Sequence, residues 1–397
     1  MPSSLTSRLF GPNTSLVHGA WLCVLSALAL SVLGIYAIDL GSSSGGGEHL
    51  SARAMTQSIY LAVGLLAGLI VALPNPQTVR LLAWPALAGC VVLLVFLLLP
   101  FVPSSIVRPR NGCRGWIDLG FFDLQPSELA KIAFVLVLAE YLRYSKRHRT
   151  WGGLVPPALV TAVPVALIML QPDLGMALLF LPGCFAVLLA AGAKLKHLSI
   201  VVLAGALAGP AMYPFLKPYQ QQRIVSLIKQ IRGDASAASD PDLFQSATAL
   251  MLSGAGQGSG YNEAQARAVV RFSRLPERHN DMIFAVIAAR FGLLGGLAVL
   301  GLYATWLLGA ILAAAGTRDP FGRLLIAGFA AMVAAQVVIN VGMNVGIVPI
   351  VGITLPFVSY GGSSMIAVWI MTGLIFGVAT RRAPRLSRPT FEFGDNQ

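Results

Sequence analysis

Apolar runs free of Asp, Glu, Lys and Arg recur along the chain at Val17–Ile38, Met55–Leu73, Leu81–Val102, Leu154–Leu170, Leu174–Ala193 and Leu198–Leu216. Each approaches the ~20 residues a helix needs to cross a hydrocarbon core. Leu129–Leu142 is interrupted only by Lys131 and Glu140, and Met282–Ala315 only by Arg290. Leu324–Thr380 carries no charge and is long enough for two crossings. Its break is expected near Asn344–Leu355, where Gly346, Pro349, Gly352 and Pro356 interrupt helix. The pattern predicts an all-α polytopic membrane protein: ten transmembrane helices in one domain over 1–397, with a large extracytoplasmic loop, 217–280, between helices seven and eight.

Composition agrees. Of the 397 residues, 56% are hydrophobic and 11% charged, against roughly 25% charged in soluble domains. A soluble enzyme, a disordered chain and a fibrous repeat are excluded. The 28 Lys+Arg against 16 Asp+Glu leave a net charge of +12. In a membrane protein that excess reads first as the positive-inside rule, not as nucleic-acid binding. Arg143, Lys146, Arg147 and Arg149, and Arg381, Arg382, Arg385 and Arg388, fall on one side of the ten-span frame; Arg53, Arg108, Arg110 and Arg114 fall on the other. Both termini are therefore expected in the cytoplasm, with 381–397 a cytoplasmic tail and the first span an uncleaved anchor. Cys23, Cys90, Cys113 and Cys184 show no CxxC spacing, so unpaired thiols are expected and no metal site is inferred.

Three extracytoplasmic stretches carry candidate chemistry. In Asn111–Lys131, a loop with Arg114 and Trp116 leads into Gln125-Pro126-Ser127-Glu128. Pro126 suits a first helical turn, and Glu128 and Lys131 then share one face. An ion pair that merely steadies the helix start would explain them. However, Lys131 lies about one turn inside the apolar run, where an intramembrane charge marks a functional site by default. Trp116 fits either an interface anchor or a site residue. In Leu275–Phe284, Asp281 sits where the long loop meets the eighth span. A partly desolvated carboxylate there makes a better base; a helix N-cap is the plainer alternative. Arg223, Lys229, Arg232, Arg267, Arg271, Arg274 and Arg278 form a basic patch suited to a polyanion, or simply a solvated loop face. In Asn340–Ser364, irregular backbone at membrane depth needs protein or a cavity around it. Gly361-Gly362-Ser363 either offers amides to an anion or permits close helix packing. There is no Walker loop, HExxH or His/Cys cluster.

These stretches resemble the SEDS family of bacterial shape, elongation, division and sporulation proteins (RodA, FtsW, SpoVE). The likeness spans the first helix to about Thr380. It rests on GCRGWIDLGFFDLQPSELAK, on QPDLG at Gln171–Gly175 with LPERHNDMIFAV, and on GIVPIVGITLPFVSYGGSS, in that order. LPERH at Leu275–His279 and PIVG at Pro349–Gly352 look more like the RodA branch than the FtsW branch. The resemblance implies a peptidoglycan glycosyltransferase in the bacterial cytoplasmic membrane. It would polymerise lipid II with inversion, release undecaprenyl pyrophosphate, and work beside a class B penicillin-binding protein among membrane lipids. Asp281 would be the catalytic base. Lys131, Glu128, Trp116, Arg114, Gln125, Ser127, Arg223, Glu277, His279, Ser359, Tyr360, Gly361, Gly362 and Ser363 would bind substrate. A divalent cation, magnesium or manganese, is compatible with the diphosphate but is not fixed by any motif. A lipid-linked precursor flippase and a scaffold without catalysis are the alternatives. The chain departs from the family pattern in having Asn280-Asp281-Met282 for Thr-Asp-Phe, Ala289-Arg290-Phe291-Gly292 for Glu-Glu-Leu-Gly, and Gly115 where a second arginine often stands. Arg290 is expected to need a carboxylate, a lipid headgroup or water.

Overall fold

A computed structural model describes residues 14–42, 50–109, 112–120, 122–145, 147–215, 221–222, 224–225, 228–229 and 241–381. The chain is a helical bundle: α1 Thr14–Gly41, α2 Ala52–Ala72, α3 Pro76–Leu98, α4 Pro126–Leu142, α5 Trp151–Leu170, α6 Leu174–Ala190, α7 Leu195–Met212, α8 Pro241–Ala255, α9 Glu263–Phe272, α10 Ile283–Gly316, α11 Pro320–Asn344 and α12 Gly362–Thr380. Among the described residues, seven helices are long and apolar enough to cross a membrane: α1 from Gly19, α2, α3, α5, α10, α11 and α12. Helices α6 and α7 are apolar but shorter. Helix α4 has 17 residues and carries Glu128 and Lys131. The protein is thus a multi-pass membrane protein. One feature departs from the all-helical expectation. Before α4, the chain makes a two-stranded antiparallel hairpin, β1 Ile117–Asp118 on β2 Asp123–Leu124.

Helices α4 and α12 are buried along most of their length, whereas α2 presents Leu65, Leu66, Leu69 and Ile70 outward. Helix α1 packs along α10, α2 along α12, and α6 along α11. Apolar side chains gain nothing by leaving lipid, so close backbone approach supplies the attraction. A Cβ on Gly373 would sit 2.1 Å from the Gly68 carbonyl oxygen, and one on Gly309 would sit 2.6 Å from that of Gly19. Those two contacts leave no room for a larger residue. The four cysteines are free and buried.

The expected break between the last two spans is present. Helix α11 ends at Asn344, and the chain runs irregularly to Gly362, with positive φ at Gly346, Gly352 and Phe357. Unpaired backbone here would cost several kcal/mol per group, and four side chains from three helices, α2, α10 and α11, take up its carbonyls. Asn340 donates to Ile353 (2.7 Å), Gln336 to Thr354 (2.9 Å), Gln57 to Ser359 (3.0 Å), and Tyr303 to Pro356. This segment is a fixed wall. At the α9 end of the bundle, Arg267 bridges Asp39 (2.7 Å) and Glu263 (2.9 Å), tying α9 to α1.

Candidate active site

Asp281 lies in the run of turns between α9 and α10, one residue before Met282, the N-cap of α10. Its backbone is held from α11. Asn340 and Asn344 are four residues apart, hence on one helix face, and both donate Nδ2 to the Asp281 carbonyl at 2.9 Å. Asn344 Oδ1 also accepts the Ala285 N–H (3.1 Å), satisfying one of the donors left open in the first turn of α10. The residues just before are held from the irregular segment. The Ser359 hydroxyl donates to the Asn280 carbonyl (2.6 Å), and the Tyr360 N–H to that of His279 (2.8 Å). Three consecutive carbonyls are therefore fixed, while Asp281 itself stays partly exposed. Its Oδ2 faces Gly352, where an added Cβ would lie 3.6 Å away.

Lys131 Nζ lies 2.8 Å from Glu128 Oε2, and each residue is only 1% exposed. The angle is poor for a hydrogen bond, so attraction between charges carries the contact. Gln336 Oε1 accepts from Lys131 at 3.4 Å, and its Nε2 reaches the Thr354 carbonyl and hydroxyl. Gln336, Asn340 and Asn344 thus form a polar ladder along α11 from the ion pair to the Asp281 backbone. Lys131 is sealed in this network and is not an open cation.

Open cations gather elsewhere. A cavity of about 560 Å³ is lined by Arg53, Arg271, Arg274, Arg278, Glu277 and His279, with Leu275, Asn280 and Tyr360. Asp281 directly follows this wall and is not in its lining. Arg53 Nη1 donates to His279 Nε2 at 2.9 Å, so the imidazole is neutral with its proton on Nδ1. Burial first, and then the charges of Arg53 and Arg278, push the His279 pKa down to about 4. Burial and the Arg53 charge also lower that of Arg278. Glu277, at φ 48, accepts from Asn280 Nδ2 at 2.5 Å.

The other expected residues divide by position. Arg114 reaches the Leu99 carbonyl (3.4 Å), and its Nε is buried without a hydrogen-bond partner. Trp116 is half-buried beside it in the same loop. Gln125 lies 3.5 Å from Asp173 through its side chain, and its N–H donates to Ser363 Oγ (2.9 Å). Ser363 passes that bond on to the Asp123 carbonyl (2.7 Å). Ser127 is buried next to Glu128. The Gly361 N–H is taken by Gln57 Oε1 (3.1 Å), and a Cβ on Gly362 would sit 2.8 Å from the Phe122 ring, so this turn works as helix packing. Arg223 and Arg232 lie outside the described residues. Arg53, Gln57, Gln336, Asn344 and Thr354 were not singled out from sequence for the site. The signal for two of them is the i, i+4, i+8 spacing of Gln336, Asn340 and Asn344 in an otherwise apolar run.

Among the described residues, Arg290 pairs with no carboxylate. Its Nε donates to the Tyr36 hydroxyl (3.0 Å), its Nη1 to the Tyr261 carbonyl (2.9 Å), and its guanidinium lies 4.8 Å from the Phe291 ring centroid. All three partners are neutral. Beside it, α10 is kinked at Gly292 (φ 63, ψ −159), and the freed N–H groups of Leu293 and Leu294 donate to Gln257 and Gly258. Among the described residues, no group of three or more His, Cys, Asp or Glu is placed to hold a metal.

Comparison with known proteins places this geometry. Stage V sporulation protein E of Bacillus subtilis is 32% identical over 82% of this chain and 86% of its own length. The probable peptidoglycan glycosyltransferase FtsW of Coxiella burnetii is 32% identical over 91% of this chain and 96% of its own. Among solved structures, a chain from a peptidoglycan synthase complex that coordinates polymerization and crosslinking aligns with TM-score 0.76 at 33% identity, covering 90% of this chain and 97% of that one. The rod shape determining protein RodA of Thermus thermophilus aligns with TM-score 0.65 at 29% identity, covering 90% and 96%. The family model described as a cell cycle protein matches residues 18–383, and the chain belongs to the FtsW/RodA/SpoVE family.

Proposed function

We propose that this chain is a peptidoglycan glycosyltransferase that polymerises lipid II, with Asp281 as general base. The carrying observation is the fixing of three consecutive carbonyls, His279, Asn280 and Asp281, by side chains and backbone from two other segments, which leaves one partly exposed carboxylate beside a cationic cavity. The acceptor GlcNAc 4-hydroxyl attacks the anomeric carbon of the donor MurNAc. The new C–O bond forms as the bond to the diphosphate breaks. The hydroxyl proton passes to the Asp281 carboxylate, and undecaprenyl pyrophosphate leaves with both bonding electrons. Attack opposite the leaving group inverts the anomeric centre. A positioned base of this kind is worth ~10²–10⁴-fold in rate. A divalent cation, magnesium or manganese, would enter as counter-ion of the lipid diphosphate.

In this reading ten helices span the bacterial cytoplasmic membrane. Both termini are cytoplasmic, and the loop 217–280 and the site are extracytoplasmic. A class B penicillin-binding protein is the transpeptidase partner. The solved relative from a peptidoglycan synthase complex supports that pairing. The residue types of Leu275–His279 and Pro349–Gly352 support an elongation role.

The test is polymerisation of lipid II by purified protein in detergent. Wild type makes glycan strands, which a flippase or scaffold does not. Asp281→Ala makes none while still eluting as a folded monodisperse species, because alanine keeps the backbone carbonyl that Asn340 and Asn344 hold. Normal polymer yield from Asp281→Ala would overturn the assignment.

A further inference from the structure

The general base needs no arginine pocket, yet one stands beside it. Arg53 comes from the start of α2, Arg271 from the last turn of α9, and Arg274 and Arg278 from the turns that follow. Three segments of the chain therefore converge on one cavity. Arg267, a helical turn before Arg271, is matched by Asp39 and Glu263. The four cavity arginines have no carboxylate partner among the described residues. Arg53 is bonded to a neutral imidazole, and Arg278 gives one N–H to the Val270 carbonyl (3.3 Å). Glu277, the acid of the wall, is engaged by Asn280. Four guanidinium groups around one void repel each other, and a multiply charged anion would relieve that repulsion. Guanidinium is the side chain best suited to phosphate oxygens, because its planar fork donates two parallel N–H bonds.

We propose that this pocket binds the diphosphate of the lipid-linked donor, with Arg271 and Arg274 as its accessible forks and Arg53 held in place by His279. The assignment rests on the glycosyltransferase reading for the identity of its ligand. It moves charge neutralisation away from Lys131, which is sealed against Glu128. The leaving group would sit next to Asn280, one residue from the base.

The test uses the full-length protein in detergent, titrated with inorganic pyrophosphate and followed by calorimetry and thermal shift. One site is expected, with affinity falling about tenfold in Arg271→Gln and about a hundredfold in Arg271→Gln/Arg274→Gln, the scale of one charge-assisted hydrogen bond per arginine. Arg271→Lys/Arg274→Lys, which keeps the charge, should recover part of that loss, and size exclusion confirms that each variant is folded. Inorganic phosphate and phosphatidylglycerol micelles are the comparison ligands. If either binds as tightly as pyrophosphate, the site is one for single phosphate groups and the diphosphate assignment fails. Unchanged pyrophosphate affinity in the double glutamine variant also overturns it. Polymerisation by wild type is measured in parallel. Polymer without arginine-dependent pyrophosphate binding refutes the pocket alone. Arginine-dependent binding without polymer upholds the anion site and refutes the enzymatic reading instead.

Discussion

The Glu128–Lys131 pair permits a quantitative prediction. Both side chains are 1–2% exposed, and their charged atoms are 2.8 Å apart. Removing one partner leaves the other charge buried in an apolar bundle, at a cost of about 3–5 kcal/mol. Glu128→Gln leaves the ammonium with neutral amide oxygens and no opposite charge, and Lys131→Met strands the carboxylate. Each single variant should therefore lose most of its folded population on mild heating in detergent. The double variant Glu128→Leu/Lys131→Met removes both charges and keeps the volume, so it should recover to within about 1 kcal/mol of wild type. Stability is read from the thermal midpoint and from a double-mutant cycle in denaturant, and function from lipid II polymerisation. Lys131 also anchors Gln336, on the helix that holds the Asp281 carbonyl. The double variant should accordingly regain its fold without regaining full activity. Single variants within about 0.5 kcal/mol of wild type would refute the premise that the pair is dry.

Three further outcomes follow from the geometry. His279 ordinarily titrates near 6.5 but is held near 4 in the fold, so its contribution is complete above pH 6.5 and is lost as pH falls toward 4. The loss reaches about 3 kcal/mol, and His279→Gln should flatten the thermal midpoint across that window. Gly352, at φ +73, faces the Asp281 carboxylate. Gly352→Ala should cost about 1–2 kcal/mol through its backbone, whereas Gly352→Asn, which tolerates that conformation, should cost less stability but more polymerisation rate by crowding Oδ2. Arg290→Met leaves the Tyr36 hydroxyl and the Tyr261 carbonyl without their donor. It should destabilise by about 1–3 kcal/mol and open the 256–261 turn to limited proteolysis. Arg290→Lys should not repair it, because one ammonium replaces a two-armed fork.

Much of the fold is readable along the chain because lipid makes the rule simple: long runs without charge become helices. The break after Asn344 is equally plain, since Gly346, Pro349, Gly352 and Pro356 crowd helix-disfavouring residues into one short stretch. The helical pairing of Glu128 with Lys131 follows from their spacing. The rest needs three dimensions. Arg53 is separated from Arg271 by most of the chain, and nothing local to either announces a shared cavity. The amides of Gly361 and Gly362 look available in sequence; Gln57, from a remote segment, takes the amide of Gly361, and the Phe122 ring packs against Gly362. The hydroxyl, carbonyl and aromatic partners of Arg290 cannot be foreseen, because the first two come from α1 and the 256–261 turn. Neutral groups are invisible to charge arithmetic.

The distribution of partners along α11 indicates how the bundle tolerates so much polarity. At its deep end the charges are matched in place, Lys131 to Glu128, and neutral amides finish the count. One turn on, Asn340 and Asn344 spend their donors on backbone, fixing position without adding charge. At the α9 end the four cavity arginines have no carboxylate partner among the described residues, and the cavity opens beside them. If the polar groups served stability alone, the order would carry no direction, and the unmatched cations would be the first to be replaced. A gradient from paired to unpaired charge, with one carboxylate at the boundary, is what a reaction requires when its substrate brings its own negative charge from one side only.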